Sequence, residues 1–356
     1  MNNINNRPMI KSRTPARNAL GDISLLYVSV LLRAVAAEGG DAEQLKARFH
    51  LSAPEQAAVD ARISIPRFMR LGHAAIKATG NPALGLRMGA LSRPVDAGMA
   101  GLAAETAGTV AGALELLVRY SLLTSHNSRG APSFQRAMKT VSFYSIRPYN
   151  QYNYFVVDSV LAAWTQLIRH MTGRYDVLER VRIEYPSIGQ DDLFESWFRC
   201  PVEFGAPAND IRIKDAIWEL VPAQAQRGMN EKLVSLCEQE LQRIQRGWRI
   251  TDRARHHMAP LLVGGKVSVE VLATKMGLTP WTLQRQLAEE GSGFRQLLDN
   301  TRQQLAWDYL KETDSSLAEI AWLLGFANPP AFHKAYQRWY GISPGEHRKI
   351  LRIRKN

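Results

Sequence analysis

The chain of 356 residues contains only two cysteines, Cys200 and Cys237. Two thiols cannot build a disulfide framework or a zinc site of cysteines, and their scarcity fits a reducing compartment. No apolar run approaches the ~20 residues that cross a bilayer as a helix, so no membrane partner is expected. No P-loop, no Gly-x-Gly-x-x-Gly and no Gly-x-Ser-x-Gly occurs, which removes the usual patterns for a phosphate cradle or a hydrolase nucleophile. Acid is the scarcer charge: 33 Asp and Glu stand against 45 Lys and Arg, a formal net charge of +12. A basic chain suits a polyanion, but residues 251–356 hold 15 basic and 10 acidic residues and the remainder 30 and 23. Charge therefore does not locate a nucleic-acid site. The length exceeds what one core usually serves, and two domains are expected.

Residues 1–20 are polar and basic and read as a disordered tail. Arg7, Lys11, Arg13 and Arg17 precede the apolar stretch Ile23–Leu32, as they do in an export signal. Arg33 interrupts that stretch. Asp22, followed by Ile23, Leu26, Tyr27, Val30, Leu31 and Ala34 on one face, predicts instead a capped amphipathic helix over 22–37. Residues 21–225 read as an α+β domain. Its further helices are expected over 41–49, 66–78, 111–124 and 153–171. Its strands are expected over 139–147, 181–185, 202–204 and 211–213, in a small antiparallel sheet. Residues 226–258 read as a linker helix and hinge. Within them the helix 229–246 carries Leu233, Cys237, Leu241 and Ile244 on one stripe, which offers either a homodimer contact or a docking face on its own domain.

Several constellations can carry chemistry, and each has a plainer explanation. His256-His257 lack partners at metal-ligand spacing and read as part of a solvated helix, so no metal is expected. Asp191, Asp192 and Glu195 read as acids at the positive end of a helix rather than a catalytic pair. Cys200 reads as a small apolar residue. Phe143, Tyr144, Tyr149, Tyr152, Tyr154 and Phe155, with Arg147, can line a ligand cavity, but core packing is the preferred reading. No catalytic residue and no cofactor is expected, and the ligand-binding residues are left open.

The informative feature lies in residues 259–350, which read as an all-α domain. One pattern is written there twice, 48 residues apart. Ser268 caps a first short helix with Leu272, Ala273 and Met276 buried, and Gly277 stops it. Thr279 then caps a second helix that opens on Pro280, with Leu283 and Leu287 turned inward. In the second copy Ser316 and Glu319 form a capping box, Ala321 takes the place of Ala273, and Gly325 that of Gly277. Asn328 caps the following helix, Pro329 opens it, and Phe332, Tyr336 and Trp339 read as core. Each copy is a helix-turn-helix, whose second helix enters the DNA major groove. The residues left facing outward are Thr279, Trp281, Thr282, Gln284 and Arg285 in the first copy, and Asn328, His333, Lys334 and Arg338 in the second. Gln reads adenine and Arg reads guanine by paired hydrogen bonds. The helical pattern Phe294–Lys311 between the copies spans about 27 Å, near the ~34 Å repeat of successive major-groove faces.

The residues Leu317-Ala-Glu-Ile-Ala-Trp-Leu-Leu-Gly-Phe-Ala-Asn, Ala331-Phe-His-Lys-Ala-Tyr-Gln-Arg-Trp-Tyr-Gly and Ile342-Ser-Pro-Gly-Glu-His-Arg348 resemble the C-terminal signature of the AraC/XylS family of bacterial transcription regulators. The resemblance covers about 100 residues. It implies a seven-helix DNA-binding domain and places Trp281, Gln284 and Arg285 where the family contacts DNA. The chain departs from the family at Pro329-Pro330-Ala331, where some members carry polar base-contacting residues. The second helix is therefore expected to grip phosphate through Lys334 and Arg338. Upstream, Asn81-Pro-Ala-Leu-Gly-Leu-Arg, Asp96-Ala-Gly-Met-Ala-Gly, Leu114-Glu-Leu-Leu-Val-Arg-Tyr120 and Cys200-Pro-Val-Glu-Phe-Gly-Ala-Pro207 are similar to the arabinose-binding-like sensing domain of ornithine-utilisation regulators. Together these similarities imply a ligand-responsive, cytoplasmic and nucleoid-associated transcription activator. Its expected partners are double-stranded promoter DNA, RNA polymerase and a small-molecule effector. Two alternatives remain at this point: a ligand-independent repressor or architectural DNA binder, and an enzyme domain fused to a DNA-targeting module. A cavity in residues 21–225 separates the first alternative from an effector-responsive regulator.

Overall fold

The computed structural model describes residues 20–51, 61–127, 129–246, 248–263, 265, 267–313 and 315–353. The expected tail lies, apart from Leu20, outside them. The chain enters a strand first, not a helix. β1 (Gly21–Ser24) is the centre of a three-stranded antiparallel sheet, flanked by β2 (Arg62–Ser64) and β3 (Ser125–Asn127). The expected cap at Asp22 is thereby corrected. Asp22 is buried in β1 and ion-paired with Arg62, because a carboxylate taken from water needs a cation. Ser24 is the cap instead: its hydroxyl accepts from the Leu26 N–H and opens the helix Leu25–Ala37.

Helices Ala42–Arg48 and Ile65–Thr79 fall where their periodicity places them. The helix expected over 111–124 covers Val110–Arg119 and gives way to a 3-10 turn over Ser121–Leu123. Helix Leu84–Ala90 lies directly on the long helix Tyr154–Thr172. Gly85 and Gly89 permit that approach: a Cβ on Gly89 would stand 2.1 Å from the Ala162 Cβ.

A second sheet has the order β4-β5-β8-β6-β7, with β4 Ser133–Gln135, β5 Thr140–Phe143, β6 Leu178–Ile183, β7 Val202–Phe204 and β8 Asn209–Ile213. The strand expected over 139–147 thus leaves the sheet after Phe143. The sheet is mixed rather than antiparallel, since β6 and β7 run parallel. Parallel neighbours need a crossover, and the helix Asp191–Phe198 supplies it with Phe194 and Phe198 fully buried.

Helix Arg227–Arg246 settles on its own domain. Cys237 is completely buried beside Ala100, Ala103 and Tyr120, with Leu233 and Leu241 packed around it. Asn230 donates to the Ala103 carbonyl at 2.6 Å, and Arg119 pairs with Glu238 at 3.0 Å. Of the two uses expected for the stripe over 229–246, docking on its own domain takes Leu233, Cys237 and Leu241, while Met229 and Leu236 of the same helix stay exposed.

The remaining described chain is helical: Ile250–Met258, Val269–Lys275, Pro280–Glu289, Phe294–Glu312, Leu317–Leu323, Pro329–Tyr340 and Pro344–Ile353. The first copy of the repeated pattern has its own core, where Ala254 and Met258 meet Leu272, Leu283 and Leu287. The second copy shares one continuous apolar cluster with the N-terminal domain, running from Ile146 and Met69 to Leu305, Tyr309 and Phe332.

Candidate nucleic-acid interface and interior cavity

Local chemistry builds the first copy as its sequence dictates. The Ser268 and Thr279 hydroxyls accept from Val271 and Thr282 N–H groups at 3.3 and 3.1 Å, capping both helices. Gly277 sits at φ 67°, the left-handed stop between them. Leu283 and Leu287 are fully buried, while Thr279, Gln284 and Arg285 are exposed and Trp281 is 69% exposed. An indole so exposed has no core function. The Arg285 guanidinium lies 5.3 Å from the Trp281 ring and 3.5 Å from Glu289. Both contacts lie at the surface and are weak enough to exchange for a ligand. Glu290, at the other end of this helix, accepts from the Ile250 and Thr251 N–H groups at 2.8 and 3.1 Å. It ties the first copy to helix Ile250–Met258.

The second copy is more firmly braced. Ser316 and Glu319 form the expected capping box, with bonds of 3.1 and 2.7 Å. The Asn328 side chain accepts from the Ala331 N–H at 2.9 Å. Arg302, on the connecting helix, donates to the Leu324 and Gly325 carbonyls at 2.9 Å each and stacks on Phe326. Asn328 and Lys334 are exposed and His333 is half-buried. Arg338 is exposed but paired with Asp299 at 2.7 Å, and Trp339 donates to the same carboxylate at 2.9 Å. Arg338 thus braces its helix against the connecting helix, a role its position alone did not indicate.

The N-terminal domain holds a cavity in which water-sized molecules can place their centres over about 110 Å³. Its walls are mostly apolar, with Tyr27, Phe68, Phe143, Val160, Trp164 and Leu167 among them. Of the aromatic stretch, Phe143 lines this cavity. Phe155 lies in the core, and Tyr149 and Tyr154 pack on Tyr185. Polar side chains interrupt the apolar walls, among them Ser92, Ser121, Thr124, Ser125, Asn127 and Ser145. Asp96 accepts from Arg33 at 2.5 Å and from the Arg93 N–H at 2.8 Å.

Between cavity and DNA-binding domain lies a polar network that the sequence did not announce. Glu184 accepts from Arg129 at 2.6 and 2.8 Å, from Arg147 at 2.6 Å, from Asn209 at 2.9 Å and from the Tyr149 hydroxyl. Burial alone would raise the Glu184 carboxyl, but the hydrogen bonds from Arg129 and Tyr149 and the two guanidinium charges hold it below its ordinary value. Arg129 and Arg147 also border Pro260, Leu305 and Tyr309 of the other domain. His256, expected on a solvated helix, instead meets His126 of β3, with Trp248 packed against both rings. His257 packs edge-on against His256, with ring centroids 5.2 Å apart, yet among the described residues no group of three or more His, Cys, Asp or Glu stands close enough to hold a metal. Burial pushes the Cys200 thiol up to about 12, consistent with an unreactive packing residue. Among the described residues no helix is long and apolar enough to cross a membrane.

Comparison with known proteins adds two family matches. Residues 39–221 match the arabinose-binding domain of AraC transcription regulators, and residues 272–350 match a helix-turn-helix domain. The ornithine utilization regulator of Pseudomonas aeruginosa is 23% identical over 330 residues, covering 92% of this chain and 96% of that protein. The HTH-type transcriptional regulator VirS of Mycobacterium tuberculosis is 25% identical over 319 residues, covering 87% and 91%. The crystal structure of the transcriptional regulator CdpR from Pseudomonas aeruginosa covers 89% of this chain and 97% of its own, at 22% identity and a TM-score of 0.42.

Proposed function

Because the chain belongs to the AraC family of transcription regulators, we propose that it is an effector-responsive activator that binds double-stranded promoter DNA and engages RNA polymerase there. The observation that carries this reading is the divided face of helix Pro280–Glu289. Leu283 and Leu287 are wholly buried, and Trp281, Gln284 and Arg285 stand out from the surface. Gln284 supplies the donor and acceptor that match an adenine edge, and Arg285 the paired donors that match a guanine edge, with Thr279 and Thr282 beside them. In the second copy Lys334, His333 and Asn328 hold the backbone, joined by Arg338 once it leaves Asp299.

The connecting helix Phe294–Glu312 has 19 residues, about 28 Å at 1.5 Å per residue. That length suits two recognition helices in successive major grooves on one side of the duplex, so one molecule reads two half-sites. In this scheme residues 21–225 are the effector domain, 226–258 the linker and 259–350 the DNA-binding domain. The protein works on the nucleoid in the cytoplasm, and no catalytic role is assigned. A cavity in the N-terminal domain supports effector control over a purely architectural role, which has no use for one. Hydroxyl-radical footprinting of the full chain on its own promoter region tests the reading. Two protected segments about 10–10.5 base pairs apart on one face are expected. A single short patch, or even protection of unrelated DNA, contradicts it.

A further inference from the structure

The cavity carries a chemical signature that neither the family description nor the names of the relatives state. Its walls are largely hydrocarbon and aromatic, from Tyr27, Phe68, Phe143, Val160, Trp164 and Leu167. A sugar needs a ring of planar polar side chains to replace the water on each of its hydroxyls, and every unreplaced bond is costly. The described lining residues include one carboxamide, Asn127, and it is already committed: it donates to the Tyr144 carbonyl and accepts from the Arg129 N–H, which leaves mainly the hydroxyls of Ser92, Ser121, Thr124 and Ser125 beside it. An ammonium-bearing ligand needs an uncommitted carboxylate. Asp96 is the one carboxylate among the described lining residues, and it is already held by Arg33 at 2.5 Å, by the Arg93 N–H at 2.8 Å and by the Arg93 side chain at 3.4 Å. His170, also on the lining, is paired with Glu105 at 2.8 Å.

Two features point to what does fit. The first is the excess cation: two guanidiniums, Arg33 and Arg93, share one carboxylate. Arg93 has the longer contact, and its side chain is 62% exposed. The second is Ser145, which lines the cavity at 1% exposure and whose Oγ has no hydrogen-bond partner. A buried orphan hydroxyl costs stability unless something meets it. The space sets the bulk: an apolar cavity of about 150 Å³ holds one benzene, and the present one, about 110 Å³ and partly open, is slightly smaller.

We propose that this cavity takes a compact, mostly apolar monocarboxylate, of about one aromatic ring's bulk, whose carboxylate is answered by Arg93 and whose polar end also satisfies Ser145. The inference rests on the cavity being the effector site. The test uses the purified full chain in calorimetric and thermal-shift titrations with benzoate and 3-methylbutanoate, against benzyl alcohol, L-arabinose and L-ornithine. The carboxylates should bind and raise Tm by mass action. Benzyl alcohol should bind tenfold or more weakly. Arg93→Gln, at an exposed position that tolerates change, should weaken the carboxylates tenfold or more while leaving benzyl alcohol unchanged. Ser145→Ala should weaken them severalfold. Tighter binding of arabinose or ornithine, or unaltered carboxylate binding by Arg93→Gln, overturns the proposal. Ala163→Phe, which fills the cavity, separates the two levels of failure. If it abolishes binding of a sugar or a diamine, the site stands and the ligand class falls. If no compound binds and promoter output is the same with Ala163→Phe as without it, the effector-site reading falls too.

Discussion

His126 Nε2, on β3, lies 2.8 Å from His256 Nδ1, on helix Ile250–Met258. One ring donates to the other across the junction of the N-terminal domain and the linker. Side chains alternate along a strand, and here the alternation has a consequence: Ser125 and Asn127 border the cavity while His126, between them, reaches the linker helix Ile250–Met258. β3 is thus a physical link between the cavity and the helix that Glu290 ties to the first recognition helix.

Removing that link should loosen the junction without unfolding either domain. In His126→Ala and in His256→Ala, amide hydrogen exchange should quicken over residues 250–258. Exchange in helix Val110–Arg119 should stay as in the parent chain. Unchanged protection over 250–258 in both variants would show that the histidine pair does not hold the junction together.

The two recognition helices should respond differently to loss of a cation. Arg285→Ala should cost about 1–3 kcal/mol at one operator position and relax specificity there. Lys334→Ala should weaken all sequences alike and reduce the salt slope by about one. Fluorescence anisotropy on single-base operator variants at several salt concentrations separates the two outcomes. Equal and sequence-independent losses would contradict a base-reading role for Arg285.

The two glycine stops are equivalent in conformation, at φ 67° and 69°, but not in surroundings. Nothing lies within 4 Å of a Cβ built on Gly277, whereas one on Gly325 would stand 2.3 Å from the Leu262 carbonyl oxygen. Gly277→Ala should therefore cost only the left-handed strain, about 1–2 kcal/mol. Gly325→Ala should cost a further ~1–3 kcal/mol from displaced packing. Chemical denaturation of the two variants side by side decides the point, and equal losses would refute it.

Asp158, buried in the core of helix Tyr154–Thr172, receives the Tyr185 hydroxyl. Burial raises its carboxyl to about 8, against the smaller opposing pull of that hydrogen bond. Between the unfolded value near 4 and this one, the folded protein keeps a proton that the unfolded chain has lost. Raising the pH therefore destabilises the fold, by up to about 1.4 kcal/mol per unit, until the slope disappears above about pH 8. Asp158→Asn should flatten that slope. Urea midpoints from pH 5 to 8 for both proteins provide the check, and parallel curves would exclude a neutral Asp158.

Much of the DNA-binding domain was legible before folding because its determinants are local. Ser268, Thr279, Ser316 and Asn328 cap helices by reaching N–H groups three residues away. Gly277 and Gly325 stop helices by their own backbone freedom. Leu283, Leu287, Phe332 and Tyr336 recur at helical spacing, and all four are fully buried. Chemistry that acts within one or two turns leaves its mark in a single stretch of sequence.

The N-terminal domain obeys a different rule, since its decisive partners are distant in the chain. Asp22 opened a strand rather than a helix because Arg62, 40 residues on, supplies its cation. The stripe around Cys237 became a docking face because helix Gly98–Glu105 presents alanines small enough to receive it. His126 and His256 are separated by 130 residues, and no periodicity foretells their meeting. The cavity, its surplus guanidinium and the orphan Ser145 hydroxyl are likewise properties of packed surfaces. Local order follows from hydrogen bonds that close short loops, whereas a binding site exists only after long loops have closed and the core has chosen which side chains face each other.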